Sequence, residues 1–227
     1  MKLISTIAAA TTAFGAPNAD HTSRQLIFGG GIIPSGTKTY TAGIRTSADG
    51  DTYCGGSLIS PTHVLTTSIC TGYKEPKFVS VGTHYLNGTQ DGEQIKVVSA
   101  QNHTSLNFSS GTYDFALLTL EKPSKFIPVK LPKADDSDIK PGMWSKAMGW
   151  GVTSYPNGSL SYELQGVSLE VWANDECSQV FNIGDTSVCA GGLPGKDACV
   201  ADTGGSPTVY SRVSTATEWI NSVTKGQ

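Results

Sequence analysis

Apolar residues in most of this chain come in short runs that suit extended strands. Phe78-Val79-Ser80-Val81, Ile95-Lys96-Val97-Val98, Phe115-Ala116-Leu117-Leu118 and Val167-Ser168-Leu169-Glu170-Val171 are examples. Turn pairs such as Asn87-Gly88, Pro141-Gly142 and Asn157-Gly158 separate them. Many short strands between such turns predict an all-β sandwich or barrel from Ile27 onward. Only the C-terminus reads clearly as a helix. There Thr215-x-x-Glu218 has the form of a capping box, and Trp219, Ile220 and Val223 share one face at helical spacing. The chain has no internal repeat and no low-complexity tract.

A different pattern occupies the first residues. Lys2 precedes the run Leu3-Ile4-Ser5-Thr6-Ile7-Ala8-Ala9-Ala10, which closes on Ala13-Phe14-Gly15-Ala16. A single early cation, an apolar stretch and small residues at its end predict a secretory signal over 1–16, cut near Gly15 or Ala16. Residues 17–26 read as a pro-segment or flexible arm, which leaves 27–227 as the folded part. Secretion makes disulfides favourable, and the five cysteines leave at least one over. Four sequons, at Asn87, Asn102, Asn107 and Asn157, predict a glycoprotein.

Charge narrows the function classes. Of the 227 residues, 15% are charged and 38% hydrophobic, with a net charge of −3. A nucleic-acid binder carries a basic patch or stripe, and none is present. Beyond the first sixteen residues no stretch suggests a membrane anchor. Four scattered histidines show no metal-ligand spacing. Gly29-Gly30-Gly31 lacks the strand–turn–helix setting of a phosphate loop. The expectation is no metal and no cofactor.

Several segments together resemble the trypsin-like serine proteases. Ile27-Phe28-Gly29-Gly30 is similar to the start of a mature enzyme, and Cys54-Gly55-Gly56-Ser57 through Thr67-Ser68-Ile69-Cys70 to the stretch ending Ala-Ala-His-Cys. Asp114-Phe115-Ala116-Leu117-Leu118 resembles the strand of the catalytic aspartate, and Gly149-Trp150-Gly151 the opening of a second barrel. Asp202-Thr203-Gly204-Gly205 resembles Asp-Ser-Gly-Gly, and Val209-Tyr210-Ser211-Arg212-Val213 the final strand. The motifs follow the family's order. The resemblance implies two antiparallel β-barrels with a cleft between them and a helix at the C-terminus.

The same resemblance implies that the chemistry is gone. Ile69 stands in the place of the general base and Thr203 in the place of the nucleophile; Asp114 alone remains of the triad. Threonine nucleophiles rely on an adjacent base, and the β-branch of Thr203 restricts its rotamers. In subtilisin, loss of the serine or histidine alone removes about 10⁶-fold in turnover. That corresponds to roughly 8 kcal/mol of transition-state stabilisation. Ala201 replaces a glycine whose N–H helps form the oxyanion hole. Asp197 matches the aspartate of the specificity pocket, either as a binder of basic side chains or as a relic. Asp202 matches the partner of the freed N-terminal amine at Ile27, yet the nearest basic residue is Arg24.

The implied disulfides are Cys54–Cys70 and Cys177–Cys189. Cys199 matches a cysteine whose partner lies in a segment this chain lacks, so it is expected as a free thiol or an intermolecular link. Gly204-Gly205-Ser206-Pro207 passes almost directly into Thr208-Val209-Tyr210, where the family has a hairpin. The second barrel is therefore expected to be shortened, with unpaired strand edges. The Ile-x-Gly-Gly start, Thr-Ser-Ile-Cys, Asp-Thr-Gly-Gly and Ser-Arg-Val-Ser are similar to the oomycete glucanase inhibitor proteins. This implies a secreted apoplastic effector whose partner is a host plant endo-β-1,3-glucanase, blocked sterically. A Thr203-dependent protease and a decoy or adhesion module remain as alternatives.

Overall fold

The structure, a computed structural model, describes residues 30–152, 159–193 and 206–225. A short strand, β1 (Gly31–Ile32), leads into six strands that close on themselves: β2 (Thr41–Arg45), β3 (Cys54–Ser60), β4 (His63–Thr66), β5 (Phe78–Val81), β6 (Glu93–Asn102) and β7 (Ala116–Leu120). Their order around the barrel is β2-β3-β4-β7-β6-β5, antiparallel at every seam. Alternation directs Ala42, Ile44, Leu58, Val64, Val79, Val81, Ile95, Leu118 and Leu120 into one buried cluster. Ala42 lies opposite Val81 and Ile44 opposite Val79, so the closing seam is itself apolar. Gly56 permits a close approach: a Cβ there would lie 2.7 Å from the Val64 side chain and 3.0 Å from the Leu65 carbonyl oxygen.

One end of this barrel is tied by a cation. Arg45 is fully buried and donates to the carbonyls of Ala48, Gly50 and Gly88 and to Ser80 Oγ at 2.5–3.3 Å. These bonds join the 45–50 turn to the loop after β5. Burial lowers the Arg45 pKa from its ordinary value, with Asp49 and Asp51 opposing that shift.

The second half repeats the scheme incompletely. β8 (Trp144–Gly149) pairs with β9 (Gln165–Glu170), and β1 occupies the other edge of β9. β10 (Ser187–Gly191) pairs with β11 (Pro207–Ser211), and the bridge Val171–Ala190 links the two sheets. Val167, Leu169, Val171 and Ala190 form the core between them. Among the described residues these strands do not close into a ring. The fold is all-β with one closed and one shortened barrel.

The two halves meet around His84. Its carbonyl accepts from Leu164 N at 2.7 Å and Trp150 Nε1 at 3.0 Å, while its ring lies 3.1 Å from Glu163 Oε1. Ile33, Trp150 and Leu164 fill the space beneath, with Leu86 from the first barrel.

The described residues include three helices, of which only the last is clear from the sequence: α1 (Ser68–Tyr73), α2 (Asn174–Ser178) and α3 (Thr217–Thr224). Trp219 and Ile220 of α3 are buried against Phe115 and Leu117, and Val223 packs beside them. The expected capping box is not formed. Thr215 lies within a 3₁₀ turn over Val213–Ala216, and its hydroxyl donates to the Arg212 carbonyl at 2.7 Å. The helical path begins before Thr215, so its side chain is not at the entry to α3.

Cys54 is bonded to Cys70 with Cα atoms 6.1 Å apart, and Cys177 to Cys189 at 6.2 Å. The first bond pins α1 to the barrel. A Cys54→Ser/Cys70→Ser variant is expected to lose about 3 kcal/mol of stability for a loop of this length. A shift in the urea midpoint, at constant slope, measures it.

Candidate functional site

The site is built where β4 gives way to α1. Thr66 ends the strand, and Thr67 then accepts from Cys70 N as the helix N-cap. Ser68 is buried and donates to the Phe115 carbonyl at 2.7 Å, which docks α1 on the entry to β7. Tyr113 has φ 53°, in the left-handed region. The chain turns there and delivers Asp114 beside the helix. Asp114 Oδ1 accepts from the backbone N–H of Ile69 at 3.1 Å.

The carboxylate expected at the aspartate position of the triad thus meets a main-chain donor at position 69. The side chain of Ile69 has no nitrogen and is 62% exposed. An aspartate in this role orients an imidazole and stabilises its charged form. Here it stabilises the start of α1. None of the described histidines replaces the base. His63 is buried in β4, with Nδ1 against the hydroxyls of Ser60 and Thr62. His84 belongs to the junction between the halves. His103 stacks on Tyr113 with centroids 4.6 Å apart, touches Trp219, and accepts from Ser105 N through Nδ1. Burial lowers the pKa of both His63 and His103, so both favour the neutral form.

His21, Ile27, Asn157, Asp197, Cys199, Ala201, Asp202 and Thr203 lie outside the described residues. Thr203 and Asp197, expected at the nucleophile and specificity-pocket positions, therefore have no described geometry relative to Ile69 and Asp114. Of the other sequons, Asn107 lies at an exposed loop, its Oδ1 accepting from Ser109 N at 2.9 Å. Asn102 ends β6 and accepts from Thr71 Oγ1 at 2.8 Å. Asn87 is half-buried and donates to Tyr162 OH at 3.2 Å.

Sequence reasoning passed over Tyr73 and Lys74. Tyr73 follows Ile69 by four residues on α1, is 72% exposed, and continues the same face. Lys74 Nζ sits 5.2 Å from the Tyr73 ring centroid and 5.3 Å from that of Tyr53. The i,i+4 spacing from Ile69 was the available signal. Beside this face a shallow depression of about 420 Å³ is lined by residues 71–76 with Ala100 and Asn102. The arrangement is an apolar and cationic surface at the position where the sequence resemblance leads one to expect the base.

The trypsin family model matches residues 27–224. The chain belongs to the trypsin family. It is 89% identical to glucanase inhibitor protein 2 of Phytophthora infestans, over all of both chains. It is 63% identical to glucanase inhibitor protein 2 of Phytophthora sojae, with 99% of this chain and 89% of that one covered. Glucanase inhibitor protein 1 of Phytophthora infestans is 59% identical, covering 100% of this chain and 99% of that one. The first of these alignments runs over 256 positions against 227 residues here, so at least 29 internal positions of that relative have no counterpart. An identity of 89% over 256 positions amounts, within rounding, to all 227 residues, so the two chains differ by omission.

The buried histidines set a pH dependence. With folded-state pKa values below the ordinary histidine value of 6.5, the native chain binds fewer protons than the unfolded one as pH falls. Stability from these groups is present above pH 6.5 and is lost as pH falls through the lowered values. Thermal melts at descending pH are expected to fall below that point. A His63→Gln/His103→Gln variant is expected to show a shallower fall.

Proposed function

We propose that this chain is a secreted, non-catalytic protein that binds and inhibits a host plant endo-β-1,3-glucanase. The observation that carries the proposal is Ile69: an exposed isoleucine at the base position, in a chain that its glucanase-inhibitor relatives match along its length. The first sixteen residues direct secretion, residues 17–26 form a pro-segment or arm, and the domain over 27–227 acts in the apoplast. Blocking the glucanase there suppresses the release of glucan fragments that alert the host.

Inhibition is steric. Glycoside hydrolases work with a pair of carboxyl groups flanking the scissile bond. A surface laid over such a cleft needs apolar anchors and tolerates a cation facing the carboxylates. Ile69 and Tyr73 on α1 supply the first, and Lys74, just past its end, supplies the second. Asp114 serves this surface by holding the Ile69 backbone in place.

The purified protein is expected to reduce sugar release by a plant endo-β-1,3-glucanase from a β-1,3-glucan in a saturable way. Ile69→Asp is expected to raise the inhibition constant about tenfold or more, the scale of a central anchor lost at an interface. Unchanged inhibition by that variant would remove α1 from the contact surface. A folded protein that inhibits no plant endo-β-1,3-glucanase would contradict the proposal itself.

The absence of catalysis has its own test. A fluorophosphonate probe is expected to leave Thr203 unlabelled, because no imidazole takes the proton. The Ile69→His variant, which restores an imidazole but not the nucleophile, is expected to remain unlabelled too. Labelling of Thr203 in the unaltered chain would favour a residual protease.

A further inference from the structure

The closed barrel provides an internal template for the open one. By their pairing, β8, β9, β10 and β11 correspond in order to β2, β3, β4 and β7. β2 pairs with β3 and β8 with β9; β4 pairs with β7 and β10 with β11. In the first barrel, β5 then closes on β2 and β6 on β7. Among the described residues the second half has no counterpart of β5 or β6. The unit from Phe78 to Asn102 is close in length to the 29 or more positions that the Phytophthora infestans relative has in addition.

The exposure of β8 agrees. All five residues of β2 are buried, whereas Trp144, Ser145 and Lys146 are exposed and Ala147, Met148 and Gly149 only half-buried. A barrel strand normally buries every second residue. Here Ala147 packs against the core cluster of the second half and Met148 against Ile33, Trp150 and Leu164, while Trp144, Ser145 and Lys146 stand open. Trp144 is 59% and Met143 43% exposed. Val171 N donates to the Met143 carbonyl and Gly142 N to the Val171 carbonyl. The alternation of an antiparallel ladder then turns the peptide groups of Trp144, Lys146 and Met148 away from β9, to the free edge.

We infer that this edge of β8, free among the described residues, is the pairing surface for β8 of a second copy of the chain, in a two-fold dimer. The edge suits itself. A two-fold axis through Ala147 sets Lys146 of each copy opposite Met148 of the other, with Ser145 opposite Gly149. The register one step away would set Lys146 against Lys146 and is disfavoured by like charge. The chosen register joins the three strands β1, β9 and β8 of each copy into one continuous sheet and brings the two Ala147-lined cores together on one face. A dimer of this kind is isologous and closed, so it stops at two copies.

Light scattering on the purified, deglycosylated protein at micromolar concentration is expected to give about twice the chain mass of 23.8 kDa, less any segment removed on secretion. Lys146→Pro removes one outward N–H while sparing the β8–β9 bonds. It is expected to give a monomer with unchanged circular dichroism. Ala147→Cys places two thiols across the axis at about 4.5 Å between Cα atoms, within reach of a disulfide. An interchain bridge mapped to position 147 is expected, and it decides the matter should the proline variant fail to fold. The longer Phytophthora infestans relative is expected to be monomeric. A monomeric wild type, a dimeric and natively folded Lys146→Pro, a folded Ala147→Cys without that bridge, or an equally dimeric longer relative would each overturn the inference. None of these measurements involves a glucanase, so they stand apart from the proposed function.

Discussion

The seam between β2 and β5 holds the rest of the molecule in place. Ala42 against Val81 and Ile44 against Val79 close the first sheet into a ring, removing both edges at once. Closure sets the distance between β4 and β7, which pair from His63–Thr119 to Thr66–Ala116. Those strands end beside each other, so α1 springs from one and Asp114 precedes the other. The contact between Ile69 and Asp114 follows from barrel geometry, and it persists without the imidazole that the geometry serves elsewhere in the family. Among the described residues the second half has no equivalent seam, and β8 is an edge strand.

Isoleucine at the position expected for a histidine leaves Asp114 a main-chain partner in place of an imidazole. A triad aspartate spends its charge on an imidazolium. Here Asp114 Oδ1 accepts from the first turn of a helix, where negative charge is favourable. The exposed Ile69 side chain projects from a helix held by a disulfide, by the Ser68–Phe115 hydrogen bond and by Asp114. A helix fixed at that many points loses little backbone freedom on binding, which favours the use of Ile69 as an anchor.

Much of the architecture could be read along the chain because strand periodicity and turn pairs are local. Phe78–Val81 coincides with β5, and the runs at 95–98, 115–118 and 167–171 each fall in or beside a strand. The helices were less visible. α1 and α2 are too short to show a periodic face, and the start of α3 was misread because Thr215 already lies in a 3₁₀ turn. Ile69 and Asp114 were found through motif resemblance, since their meeting joins residues 45 apart along the chain. Tyr73 and Lys74 carry no motif, and their exposure became apparent only with α1 in place. The open edge of β8 was anticipated in general terms from the missing hairpin. Which peptide groups face outward depends on the bond between Val171 and Met143, which periodicity does not encode.

If the base position has become a contact surface, α1 should be shielded when a target is bound. Amide hydrogen exchange of this protein, alone and with a plant endo-β-1,3-glucanase, reads that directly. The expected result is slowed exchange across Ser68–Lys74 in the complex, with the rest of the first barrel unchanged. Saturating complex formation with no protection on α1, or no complex at all, would contradict it.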